Sequence, residues 1–186
     1  MTTVAGSTPY AWPYDGDLAP ARTALLVVRG ADAPALPATV APLAQRLHDL
    51  GGAVVAVTTA PPRRSAPDDR STPMGPAATV VESDHPIDET VVAAGLDGFH
   101  GSPLDALLRR TGRDRLLLVG GWLETSVHST MRSANDRGYE CLLVLDGCVP
   151  FDPDLRAASR SQIEMSGGIF GAVGETDAVL AALGRP

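Results

Sequence analysis

Apolar and polar positions along the 186-residue chain alternate between two kinds of run. Short continuous apolar runs read as strands buried on both faces. They are Thr23 to Arg29 (TALLVVR), Ala53 to Thr58 (AVVAVT), Arg115 to Val119 (RLLLV) and Glu140 to Leu145 (ECLLVL). Glu89 to Ala93 and Gly168 to Val173 read as two shorter strands. Between them, apolar residues recur at helical spacing. Pro37 to Leu50 aligns Val40, Leu43, Leu47 and Leu50 and is closed by Gly51-Gly52. Ser102 to Thr111 gathers Leu104, Leu107 and Leu108 behind a capping serine. Glu124 to Arg137, Asp154 to Met165 and Thr176 to Leu183 complete the helices. Residues 59–80, rich in Pro, Arg, Ser and Asp, read as a surface loop, and residues 1–20 as an extended approach segment.

Strands separated by helices pair in parallel through right-handed crossovers. The expected fold is therefore a single α/β domain over residues 1–186. It is a three-layer, open, mainly parallel sheet of about six strands with helices on both faces. Ligands of such sheets bind beyond the carboxyl ends of the strands. That rule directs attention to Arg29, residues 58–62, Gly120 to Ser126 and Asp146 to Pro150.

Composition narrows the chemistry. A net charge of −7 with no basic run argues against nucleic acid and anionic membranes as partners. No apolar stretch approaches the ~20 residues of a membrane-spanning helix. Met1 to Pro20 lacks the pattern of a secretory signal, so a cytoplasmic location is expected. All fifteen basic residues are Arg, which excludes lysine Schiff bases and a P-loop lysine. Cys141 and Cys148 are too few for a disulfide framework. His48, His85, His100 and His128 form no pair at zinc-ligand spacing. Neither a metal nor a cofactor is expected.

Three segments carry a family likeness: Pro9 to Val28 (PYAWPYDGDLAPARTALLVV), Ser126 to Cys148 (SVHSTMRSANDRGYECLLVLDGC) and Gly167 to Val173 (GGIFGAV). On them the chain resembles the isochorismatase-like superfamily of cysteine hydrolases, nearest in pattern to biuret-hydrolase-like amidohydrolases. Arg29 to Leu96 matches less well. The resemblance implies a strand-end Asp acting as base, a supporting Lys, and a Cys nucleophile at a helix start, the last activated as thiolates generally are. Carried onto this sequence, the Asp position falls on Arg29 and the Cys position on Ser126. The Lys position, six residues before Phe99, falls on Ala93, or on Ala94 with a one-residue slip. All three residues differ from the pattern, and Asp-x-Gln-x-x-Phe is replaced by Arg29-Gly30-Ala31-Asp32-Ala33-Pro34. Isochorismate-cleaving relatives manage without the Cys but rely on the Asp. The resemblance thus implies a chain that is not a thiol amidase.

The remaining residues each have two readings. Ser126 is either a nucleophile in need of a base or a small helix-capping residue. His128, two residues on, lies roughly 200° round a helix and should point elsewhere. Arg29 at a strand end needs a partner: a carboxylate of Glu124, Asp97 or Asp146, or an anionic ligand. The helix beginning near Glu124 would add free N–H groups, and the resemblance places an oxyanion hole at the backbone of Trp122 and Ser126. Trp122 is either a pocket floor or filler. Asp97 and His100, flanking Phe99, form either an acid–base pair or a solvated loop. Cys148 is a displaced nucleophile or an inert buried thiol. Arg63, Arg64 and Arg70 beside Asp68 and Asp69 read as a charged surface loop.

Two functions follow. In one, the old cleft binds or transforms a small anionic molecule, bearing a carboxylate or a phosphate, without a thiol, using Arg29, Trp122, Ser126, Glu124, Phe99, His100 and Asp97. In the other, the chain is a silent subunit acting through homo-oligomers, or through hetero-oligomers with an active paralogue.

Overall fold

A computed structural model describes residues 2–30, 33–60 and 83–184. The 59–80 loop expectation, with Arg63, Arg64, Asp68, Asp69 and Arg70, lies almost wholly outside the described residues. The six strands are β1 (Thr23–Gly30), β2 (Ala53–Thr59), β3 (Glu89–Val92), β4 (Arg115–Gly121), β5 (Glu140–Val149) and β6 (Ala172–Gly174). They form one sheet in the order β3-β2-β1-β4-β5-β6, and every neighbouring pair is parallel. Five α-helices accompany them, four between strands and the last after β6: α1 (Val40–Asp49), α2 (Leu104–Arg110), α3 (His128–Asp136), α4 (Arg156–Glu164) and α5 (Thr176–Gly184). The expected α/β architecture is the observed one.

Strand alternation divides the core in two, because successive side chains leave opposite faces. Ala24, Leu26 and Val28 of β1 join Leu104 and Leu108 of α2, Val127 and Met131 about α3, and Ile163 of α4. Leu25 and Val27 join Val40, Leu43 and Leu47 of α1 and Val179 of α5, with Trp12 from the N-terminal segment. That segment is also tied to the sheet, since Thr8 and Val173 exchange backbone hydrogen bonds beside β6.

Local chemistry moved several boundaries. The last strand begins at Ala172, not Gly168: Gly168 and Gly171 both have positive φ, and a turn occupies the expected strand start. The Glu124 helix is continuous with α3 but opens with a π-helical turn, Leu123–Val127, in place of α-helical geometry. A 3₁₀ turn at Pro153–Leu155 likewise precedes α4. Leu50, counted on the apolar face of the first helix, lies beyond its end and is exposed. Among the described residues no helix is long and apolar enough to cross a membrane.

Candidate functional site

The carboxyl ends of β1, β2 and β4 meet around Ser126. This serine lies in the π turn after β4 and is 1% exposed. Its Oγ is 2.8 Å from the Oγ1 of Thr59, the last residue of β2 and equally buried. Thr59 Oγ1 is also 3.2 Å from the carbonyl oxygen of Arg29. A carbonyl only accepts, and each hydroxyl has one proton. The arrangement that satisfies all three groups has Thr59 donating to Arg29 and Ser126 donating to Thr59. Among the described residues no imidazole or carboxylate is hydrogen-bonded to Ser126.

Gly30, not Arg29, faces this serine. A Cβ at Gly30 would stand 3.3 Å from Ser126 Oγ and 3.8 Å from the Trp122 ring, so the absent side chain is what lets the π turn approach β1. Arg29 leaves the other face of β1, the face of Leu25, Val27 and α1. Its Nη2 donates to the carbonyl oxygens of Ala33 and Pro34, at 3.2 Å each. The expected carboxylate partners are engaged elsewhere. Glu124 Oε2 accepts from Phe151 N (2.8 Å), Asp97 Oδ1 from Phe99 N (2.9 Å), and Asp146 Oδ1 from the N and Oγ1 of Thr176 (2.8 Å each).

The side chain of Arg29 instead enters the wall of a cavity of about 270 Å³. The cavity lies between the carboxyl ends of β1 and β2 and the start of α1. Val27, Leu36, Val40, Ala56 and Ile87 give it apolar walls, and Asp84 and His85 close one side. Asp84 is the one carboxylate among the described lining residues. Its Oδ1 lies 3.0 Å from His85 Nδ1, and that hydrogen bond holds its carboxyl below the ordinary range. The first turn of α1 has no acidic residue and no side-chain cap. The Thr39 hydroxyl, next to it, donates to Asp146 O (3.3 Å) instead. The positive end of a ten-residue helix therefore borders the same cavity as Arg29.

The other expected site residues do not gather there. Ala93 follows β3, is buried, and its N–H donates to Thr58 O (2.8 Å). Ala94 N–H bonds His100 O. Trp122 follows a cis peptide bond and packs edge-on to Phe151, with centroids 5.1 Å apart. Its carbonyl accepts from Val127 N–H, the five-residue bond of a π turn, and also from Thr125 N–H. Phe99 is a core residue stacked on Tyr139, not a cleft wall. His100 is exposed on its loop, and its N–H bonds Asp97 O, so the two side chains form no hydrogen-bonded pair. His128 is not hydrogen-bonded to Ser126. Burial, and then Arg132, lower its pKa, and its Nε2 is sealed without a partner. Cys148 points into the core with Sγ 3.3 Å from Val144 O, and burial pushes its thiol up to about 12. Among the described residues no three His, Cys, Asp or Glu side chains cluster as a metal site would need.

Sequence reasoning marked residues 58–62, and so the segment holding Thr59, but gave no role to Gly30, His85 or the start of α1. The rule that ligands sit at strand carboxyl ends points to the end of the sheet where Ser126 and the Arg29 cavity lie. It says nothing about which face a strand-end residue takes.

Comparison with known proteins supplies the family. The model of the isochorismatase domain matches residues 23–177. A cysteine hydrolase from Pseudomonas syringae pv. phaseolicola superposes with a TM-score of 0.68 at 19% identity, over 88% of this chain and 93% of that one. An isochorismatase family protein from Burkholderia thailandensis gives 0.68 at 21% identity, over 89% and 97%. The nicotinamidase of Staphylococcus aureus gives 0.59 at 19% identity, over 83% and 99%. At these identities the likeness is one of fold.

Proposed function

The chain belongs to the isochorismatase family, and from that premise we propose that it binds a small carboxylate-bearing molecule in the Arg29 cavity without the family's thiol chemistry. One observation carries the reading: Arg29 enters an apolar-walled cavity with two backbone carbonyls as its hydrogen-bond partners and no ion pair among the described residues. Arg29 is half-buried there, and a guanidinium partly withdrawn from water gains from an anionic partner. A ligand carboxylate would meet the donors that Ala33 and Pro34 leave unused, with charge-assisted bonds on a planar fork. The start of α1 adds a favourable field from a second direction. Val27, Leu36, Val40 and Ile87 would hold the body of the ligand.

The same reading makes the Ser126 site silent as a hydrolase. The positions that the family resemblance assigns to base, lysine and nucleophile carry Arg29, Ala93 and Ser126, and the sequence contains no lysine to take the second role. The serine proton is directed at Thr59, and a neutral threonine hydroxyl is no general base. Cys148, protonated and buried, offers no substitute.

A thermal-shift screen of carboxylates, amides, ureides and phosphates against wild type and Arg29→Ala tests the proposal. Binding raises the melting temperature by mass action. Shifts confined to carboxylates and lost in Arg29→Ala support it. No shift from any compound, with an Arg29→Ala protein plainly less stable, makes Arg29 a structural plug. A second reading, a silent subunit in an oligomer, draws on the exposed side chains of Phe151, Met165 and Ile169. A monomer in light scattering at micromolar concentration would count against it.

A further inference from the structure

A second concavity lies at the amino end of β5, the far end of the sheet from Arg29, and encloses about 380 Å³. All three tyrosines of the chain, Tyr10, Tyr14 and Tyr139, line it together with Glu140. They come from segments more than a hundred residues apart in sequence and are brought together where the N-terminal segment crosses the start of β5. The rings of Tyr10 and Tyr14 stand 5.8 Å apart at 77°, two nearly perpendicular walls. The Tyr14 N–H donates to Glu140 Oε1 and fixes the carboxylate beside them.

The charge around Glu140 is not balanced. Ion pairs link Asp15 to Arg22 and Arg115, Asp114 to Arg22, and Glu140 to Arg115. This group of ion pairs thus has three carboxylates for two guanidiniums, while Arg109 and Arg137 act on the Tyr139 side. Burial, and then repulsion from Asp15 and Asp114, outweigh Tyr14 N–H and Arg115 and raise the Glu140 carboxyl above its ordinary value. Other rings in the chain already hold a cation: Arg109 sits over Tyr139 (5.3 Å), Arg132 over Phe170 (4.1 Å) and Arg137 over Phe99 (4.8 Å). Tyr10 and Tyr14 carry none among the described residues.

We infer that this concavity binds a small organic cation, an alkylammonium group held by Glu140 against the rings of Tyr10 and Tyr14. Aromatic faces attract cations through the ring quadrupole, and a quaternary ammonium suits walls set at right angles. The Glu140 carboxylate beside these rings disfavours an anion against them. The site is independent of the Arg29 cavity and of any ligand there.

Isothermal titration at matched ionic strength tests the site, with choline chloride as the cation and 3,3-dimethyl-1-butanol as its uncharged isostere. Tyr14 is 83% exposed, so Tyr14→Ala leaves the core intact. Glu140→Gln keeps an acceptor for the Tyr14 N–H. Choline is expected to bind saturably, and the isostere at least about tenfold more weakly. Each variant, folded by circular dichroism, should weaken choline by roughly threefold to thirtyfold. Equal binding of choline and the isostere would overturn the inference. So would the absence of saturable choline binding at millimolar concentrations, or an affinity unchanged in both variants.

Discussion

Thr59 and Ser126 meet hydroxyl to hydroxyl at 2.8 Å, where β2 and the π turn after β4 converge. The bond closes the one place in the fold where the family resemblance puts a nucleophile, and it ties the serine to a partner that cannot take its proton. Ser126→Ala should therefore cost about 1 kcal/mol of stability, the net worth of one hydrogen bond. Thr59→Val should cost more, about 1–3 kcal/mol, because the Arg29 carbonyl and Ser126 both lose their partner. Urea unfolding measures both. Ser126→Cys should hydrolyse no amide above background, since a thiol without a base at hand gains little.

The end of β4 depends on Gly120. Its φ is +130°, and a Cβ there would fall 1.8 Å from the carbonyl oxygen of Val28, inside the β1–β4 pair. Gly120→Ala should cost about 3 kcal/mol or more through combined backbone strain and overlap. A cooperative unfolding curve indistinguishable from wild type would contradict that packing.

His128 gives stability a dependence on acid. Burial, reinforced by Arg132, depresses its pKa in the folded chain. A depressed folded pKa means that the unfolded state binds the proton first. Its contribution is therefore complete above the unfolded value of about 6.5 and is lost as pH falls through the folded pKa. Unfolding free energies at neutral and mildly acid pH should show this loss, and His128→Gln should reduce it.

The thiols act in the opposite direction. Burial raises both Cys141 and Cys148, the latter to about 12. Raised folded values leave the stabilising contribution intact below the unfolded thiol value of about 8.5, and it is lost as pH rises above that. A thiol reagent at mildly alkaline pH should leave both cysteines unmodified in the native protein and label both after denaturation. Rapid labelling of Cys148 in the native state would restore it as a candidate nucleophile.

Much of the fold was legible because parallel strands covered on both faces are continuous apolar runs, as Leu25 to Val28 and Leu116 to Val119 are. The same property hid the direction of Arg29. With Leu25, Leu26, Val27 and Val28 all apolar, nothing in β1 indicates which face takes α1, and hence which side Arg29 leaves. Gly168 to Phe170 read as strand because apolar and glycine residues adjoin a true strand. Only the positive φ of Gly168 and Gly171 marks the turn. Phe99 looked like a cleft residue from its motif position, but it packs on Tyr139, a contact between distant segments that no local pattern encodes. The tyrosine-lined concavity is invisible in sequence for the same reason.

The central claim is that Arg29 makes the cavity beside α1 an anion site. Isothermal titration of matched pairs, each a carboxylic acid and its primary amide, into wild type and Arg29→Gln tests it most directly. The account predicts saturable binding of at least one acid at neutral pH, with its amide and the Arg29→Gln protein each weaker by about tenfold or more, and no ammonia released from any amide. Acid and amide binding alike, an affinity indifferent to Arg29→Gln, or steady release of ammonia would contradict it.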